Sequence, residues 1–192
     1  MKKVSRLLSL LVIALCFNAH TMANTDSSTL PMVKVSKLGE LIMNGDDFSY
    51  REWQSSQPVN KVHVIQYFPG TMSASKTFEP FTDLLQEQYE LGTYHVTTII
   101  NLDAAMWGTT GFVVSEVEKS KRKFPGSTMV LDKSGDAVDT WKLGKKGLGL
   151  FILDSQGHVQ FEIRHKMSSD EQGQAAAVFA DLMSQSQQAA AR

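Results

Sequence analysis

Apolar and polar positions change period several times along this chain, and each change marks an element. Between residues 61 and 68, Val62, Val64, Ile65, Tyr67 and Phe68 form a nearly continuous apolar run. That is the pattern of a strand covered on both faces. Pro69-Gly70 ends it, and Phe78, Phe81, Leu84 and Leu85 then recur at helical spacing. The spacing predicts a helix capped by Ser73 or a neighbour and running to about Tyr89. Pro80 falls inside it and is expected to kink it, because proline removes a backbone donor and crowds the preceding turn.

The same reading extends in both directions. Met32 to Val35 is a candidate short edge strand. Residues 38–43 and 44–50 read as two strands about a turn containing Asn44-Gly45, a hairpin signal. Arg51 to Ser56 reads as a helical or looped connection. Residues 94–100 are β-branched and nearly continuous, a second internal strand, and 101–111 are a loop. A helix follows over 112–123, with Phe112, Val113, Val117 and Ser120 on one stripe. Residues 127–131 and 148–153 are further strands, with a short helix about Val138 and Trp141 between them. An alternating strand over 158–163 suits a sheet edge. Ser168 and Glu171 then form a capping box for a last helix striped by Ala175, Val178, Phe179 and Leu182, fraying from Gln185. Parallel β-α units followed by an antiparallel hairpin, with helices on both faces, make a mixed-sheet α/β sandwich.

Composition changes the picture chiefly at the start. Lys2, Lys3 and Arg6 precede an apolar run from Leu7 to Phe17, and Thr21-Met22-Ala23 offers small residues to a signal peptidase. This is a secretory signal with cleavage expected after Ala23, which directs the chain to the periplasm. The run is too short to span a bilayer, and no stable membrane insertion is expected after cleavage. The expected organisation is therefore a signal peptide at 1–23, a leader at 24–36, one domain at 37–187 and a frayed tail at 188–192. Cys16 is the only cysteine of the 192 residues and lies within the signal. The leucine before it is too large for a lipid-attachment site. The cleaved chain then carries neither thiol nor disulfide, and a domain of this size can hold itself together by its core.

Nineteen basic residues stand against twenty acidic ones. Loss of Lys2, Lys3 and Arg6 takes the formal charge from −1 to about −4, which gives no footprint for nucleic acid. The basic run Lys119, Lys121, Arg122 and Lys123 is interleaved with Glu116 and Glu118, as on a solvated helix end.

The order of elements resembles the thioredoxin fold in the version that carries an N-terminal β-hairpin. On that resemblance Met72 and Ser75 occupy the places of the two redox cysteines. Pro80, five residues after Ser75, matches the fold's kinking proline. The cis-proline that faces the redox site in such folds would fall near Leu148, where there is none. Over nearly the whole length after the signal, the chain resembles the YtfJ family of exported bacterial proteins. The segments that carry the likeness are 39–41, 48–50, 61–66, 94–101 with Asp103-Ala104, 141–143 and 159–161. That resemblance implies location and a thioredoxin-like fold, and no defined activity.

Candidate chemistry is correspondingly sparse. Thiol-disulfide exchange needs a thiolate, and Met72 and Ser75 supply none. Neither a catalytic residue, a cofactor nor a metal-ligand spacing is expected. Ser73 or Ser75 as nucleophile needs a base; His63 and His95 lie at the amino-terminal ends of their strands, and His158 and His165 belong to the last hairpin. Asp103 is a candidate cation ligand with Asp132 or Asn101, although turn and cap duty explains all three. A hydrolase-type or metal-assisted enzyme built on Ser73, Ser75 and Asp103 is the alternative expectation. The leading one is a binding or chaperone-like module without redox chemistry. Its contacts are Thr71, Met72, Ser73, Ser75, Asp103, Trp107 and Leu148, with Phe112 beside them, and its partner is an extended peptide or periplasmic protein.

Overall fold

The computed structural model describes residues 28–57, 59–145 and 147–191. The predicted signal and its cleavage site therefore lie outside the described residues. Seven strands form one sheet: β1 (Lys34–Asn44), β2 (Asp47–Gln54), β3 (His63–Pro69), β4 (His95–Asn101), β5 (Thr128–Asp132), β6 (Gly149–Leu153) and β7 (Val159–Ile163). Their spatial order is β2-β1-β5-β4-β3-β6-β7. β3 runs parallel to β4 and β4 parallel to β5, while every other neighbouring pair is antiparallel. Among the described residues, five helices flank the sheet: α1 (Met72–Ser75), α2 (Glu79–Gln88), α3 (Thr110–Lys123), α4 (Asp136–Thr140) and α5 (Ser169–Ala190).

The continuous apolar runs have the cause that their pattern implies. Val64 and Phe68 of β3 face a core shared with Phe81, Leu85, Val117 and Phe179 from α2, α3 and α5. Ile65 and Tyr67, one position out of phase, face a second core with Trp53, Trp141 and Leu143. Side chains alternate across a strand, so a strand buried on both faces must be apolar throughout. The second core has only the short α4 over it. The rest of its cover is Trp53 of β2 and the chain before β1, where Trp141 Nε1 donates to Pro31 O at 2.8 Å. Val159 N also donates to Ser28 O at 2.8 Å. The segment expected to be a loose leader is thus tied into the fold from Ser28 onward.

Several local readings need correction. The residues 51–56 expected to be a connection instead continue β2 as far as Gln54, paired with Lys34. The helix predicted from Ser73 to about Tyr89 is two helices. Thr71, not Ser73, caps the first, its Oγ1 accepting from Ala74 N at 3.3 Å. Pro80 stands in the first turn of α2 rather than within a kinked helix. There its missing N–H has no helical partner to lose, so a break costs less than a kink. Phe112 points away from the buried stripe of α3, which is carried by Val117 and Lys121. The capping box of α5 forms as its sequence predicts, but the helix continues to Ala190. Its last two turns are largely Gln and Ala, which are good helix formers.

One irregularity shapes the sheet. The β1–β2 register shifts between Val35 and Glu40, where Leu38 and Gly39 adopt φ values of 70° and 80°. A Cβ on Gly39 would lie 2.2 Å from Arg51 O. Only glycine allows so close a backbone approach at positive φ. The bulge places Glu40 directly opposite Arg51.

Candidate functional site at the carboxyl edge

The parallel strands β3, β4 and β5 end at one edge, and three loops meet there. Gly70 N donates to Asn101 O at 2.8 Å, joining the turn after β3 to the loop after β4. A Cβ on Gly70 would stand 3.2 Å from that same carbonyl and 3.4 Å from Ala105 Cβ, so the contact needs a residue this small. The position of Gly147, at φ 55°, lies within van der Waals reach of Pro69 and Tyr67, which brings in the loop before β6.

Polar side chains fix these loops from below. Asn101 Oδ1 accepts from Asp103 N at 3.0 Å and from Ala104 N at 3.3 Å. Asp132, fully buried at the end of β5, accepts from Tyr67 Oη at 3.0 Å, Ser134 N at 3.2 Å and Ala137 N at 3.3 Å. A buried carboxylate is tolerable only with such partners. Burial first, and the neighbouring Asp132 charge second, push the Tyr67 phenol well above its ordinary range, so it remains a donor at any physiological pH. Burial, with Asp132 again second, also raises the Asp136 carboxyl.

Above this floor lies a cleft of about 350 Å³, lined by Asp103, Ala104, Gly135, Asp139, Lys145 and Gly147 among others. On the segments that follow β3 and β4, large apolar side chains stand in water. Met72 is 64% exposed, Phe112 54% and Trp107 100%. Met106, next to Trp107, is exposed as well. Exposed single apolar residues are ordinary, but four over α1, the β4–α3 loop and the start of α3 are not.

The predicted residues therefore separate into groups. Thr71 is a helix cap. Ser75 Oγ donates to Met72 O at 2.9 Å, and Ser73 Oγ lies 3.5 Å from Thr71 Oγ1. Asp103 is exposed and lines the cleft. Trp107 and Met72 are open to solvent. Leu148, in contrast, is buried in the core with Phe68 and Leu150 and offers no surface to a partner. Each histidine among the described residues is engaged elsewhere: His63 with Thr97, His95 with Thr128, His158 with Asp154 and His165 with Glu171. The serines of this turn thus have no imidazole within hydrogen-bond reach, which the chemistry of an activated hydroxyl requires. Among the described residues, no group of three or more His, Cys, Asp or Glu side chains is placed to hold a metal ion. What sequence reasoning missed is the floor. Tyr67 reads as one more apolar position in a strand and Asp132 as a turn residue, and their 65-residue separation hides the bond between them.

Residues 24–182 match the model of a family described as "Bacterial protein of unknown function (YtfJ_HI0045)". The chain is 31% identical over 155 residues to the protein YtfJ of Escherichia coli strain K12, covering 80% of this chain and 83% of that one. It is 32% identical over 164 residues to a Haemophilus influenzae protein, covering 84% and 89%. Among solved structures, a proposed thiol:disulfide interchange protein DsbE from Chlorobium tepidum aligns with a TM-score of 0.53 at 14% identity, covering 82% of this chain and 96% of that one. The thioredoxin domain of a thiol-disulfide oxidoreductase from Bacteroides vulgatus aligns with a TM-score of 0.51 at 10% identity, covering 80% and 96%. At such identities the likeness establishes the fold, which is thioredoxin-like.

Proposed function

This chain belongs to the YtfJ family, and from that premise we propose that it is an exported, periplasmic binding or chaperone-like module without thiol chemistry. Its ligand is an extended segment of polypeptide, taken at the carboxyl edge of the sheet. The observation that carries this reading is the exposure of Met72, Trp107 and Phe112 around the junction of Gly70 with Asn101. An unbranched thioether and a broad aromatic ring adapt to varied apolar side chains.

Two features support the absence of redox chemistry and one supports export. Met72 and Ser75 are the first and last residues of α1, at the turn that follows β3, and neither can form the thiolate that exchange requires. The one cysteine, Cys16, belongs to the predicted signal. The signal itself favours the periplasm, and no helix among the described residues is long and apolar enough to cross a membrane.

The test uses the chain after signal removal and a permanently unfolded polypeptide, reduced and carboxymethylated α-lactalbumin. Trp53 and Trp141 are buried and Trp107 is not, so contact with the client should shift the emission of Trp107 to shorter wavelength. Met72→Ser with Phe112→Ser should abolish the shift without lowering the melting temperature. An unchanged spectrum in the wild type sinks the reading. A Ser73→Ala, Ser75→Ala, Asp103→Ala variant should bind as the wild type does, because those groups are polar and the two serine hydroxyls lie against the α1 turn itself.

A further inference from the structure

The opposite edge of the sheet holds a second, differently built cleft. In the parallel register of β3 and β4, His63 stands beside His95, and their rings meet edge to face at 5.1 Å between centroids. His63 Nε2 shares a hydrogen bond of 2.8 Å with Thr97 Oγ1, and His95 Nε2 one of 2.9 Å with Thr128 Oγ1. These hydroxyls fix both rings. The two Nδ1 atoms make no hydrogen bond among the described residues, where no fully buried side-chain nitrogen or oxygen lacks a partner. They therefore reach the adjoining cleft, which has a volume of about 260 Å³ and is lined by both rings, both threonines, Glu40 and Arg51. His63 is only 7% exposed, and what remains accessible of this almost buried side chain borders that space.

Charge around the cleft is not balanced. Glu40, on β1, accepts from Arg51 Nε and Nη2 of β2, both at 2.8 Å, and that pair is neutral overall. Lys61, before β3, lines the same cleft. Lys121 comes from the last turn of α3, where its buried Nζ donates to Pro125 O and Ser127 O. Glu40 is thus the one carboxylate against Arg51, Lys61 and Lys121. Burial is the main cause that holds both imidazoles neutral, and for His95 the Lys61 charge adds to it. In the tautomer with the proton on Nδ1, each Nε2 accepts from its threonine hydroxyl and each Nδ1 is a donor toward the cleft.

We propose that this amino-edge cleft binds a small monocarboxylate anion, which accepts hydrogen bonds from Nδ1 of His63 and His95 and lies in the field of Arg51, Lys61 and Lys121. Its volume is that of roughly nine water molecules, enough for a carboxylate of a few heavy atoms and too little for a peptide or nucleotide. Beyond the neutral Glu40–Arg51 pair, Lys61 is the one cation among the residues lining the cleft, Lys121 standing behind them, and one such charge with two donors matches a monovalent acceptor better than a phosphate dianion. An anion so placed favours the imidazolium form of the rings, so its binding takes up protons and tightens as pH falls.

The experiment follows the imidazole ring resonances of His63 and His95 in the signal-free chain during titration with acetate, propionate, phosphate and acetamide. Acetate and propionate should give saturable shifts at both rings, with tighter binding near pH 5.5 than near pH 7.5. Acetamide, equal in size but uncharged, should give none. Arg51→Gln should weaken the carboxylate by about tenfold while the rings keep their resonances, which separates a lost ligand contact from a lost fold. The absence of saturable shifts, an equal response to acetamide, or a response to phosphate alone each overturns the proposal. Because the cleft lies away from Met72 and Trp107, failure here leaves the polypeptide-binding reading untouched, and the converse holds as well.

Discussion

The two ends of the central strands β3, β4 and β5 are opposites. At the carboxyl edge Asp132, Tyr67 and Asn101 hold the loops from underneath, and the outer surface mixes exposed Met72, Met106 and Trp107 with Asp103 and Lys145. At the amino edge the polar groups face the cleft itself, and His63, His95, Thr97 and Thr128 form its wall. The first edge presents adaptable apolar surface on loops. The second presents fixed donors on strands. Strand-borne groups are positioned by the register of the whole sheet, whereas loop-borne groups depend on a few hydrogen bonds. Substitutions at the amino edge should therefore cost stability first, and substitutions at the carboxyl rim should cost binding first.

The sharpest way to break that contrast is Gly39→Ala. The added Cβ meets Arg51 O at 2.2 Å on a backbone with φ 80°, so the bulge that sets Glu40 opposite Arg51 must shift. A loss of about 4 kcal/mol, or failure to fold, is expected in urea denaturation. A loss under about 1 kcal/mol would show that the bulge is not a fixed feature of the amino edge.

Next in size is the pH dependence of stability. Burial, with the neighbouring His95 second, lowers the His63 pKa from 6.5 to about 3 in the folded chain. Between those values the unfolded chain binds a proton that the folded chain refuses, so stability is complete above about pH 6.5 and falls as pH drops toward 3. Acidification to about pH 4 should remove about 3 kcal/mol through His63, and His95 acts in the same direction. His63→Asn should flatten the slope over this range. Glu171 at the far surface contributes only in more acid solution: its bonds from Ser168 N and Oγ, then from His165, hold its carboxyl down to about 2.

Tyr67→Phe probes the floor of the other edge. It removes the hydroxyl that donates to buried Asp132 while the ring stays packed against Trp141. A loss of about 2 kcal/mol is expected in denaturant titration, the cost of one lost hydrogen bond to a buried carboxylate whose Oδ2 keeps only Ala137 N. The smallest effect belongs to Trp107→Ala. A fully exposed ring should change stability by less than about 0.5 kcal/mol, yet binding of an unfolded client should be lost. If this variant melts well below the wild type, Trp107 is a packing residue and the contrast between the edges fails.

Much of the fold could be read from particular residues. The run from Val62 to Phe68 announces a strand covered on both faces, and Ser168 with Glu171 announces the last helix, because both signals are carried within a few neighbours. Pro80 signalled a disturbance but not its form. Whether proline kinks a helix or starts one depends on where the preceding chain is anchored, and here Phe78 is buried between α1 and α2. Leu148 is buried where a contact was expected, and Phe112 is exposed as a contact would be but not as a member of the α3 stripe, since a residue at the end of an element has no period of its own to read. Of the carboxyl-edge candidates, Met72 and Trp107 are legible as outliers within polar loops. The histidine pair was visible only as two isolated residues at strand starts.

By itself the sequence determined the alternation of strands and helices, the covered central strands, the absence of a thiol after the predicted signal and the capped final helix. Each of these is written in local periodicity or in residue type. Tertiary structure alone decided that His63 meets His95, that Tyr67 donates to Asp132 and that Gly39 lets Glu40 reach Arg51. Those pairings join residues far apart in the chain through strand register, and register is fixed by burial over the whole sheet rather than by any short stretch of it.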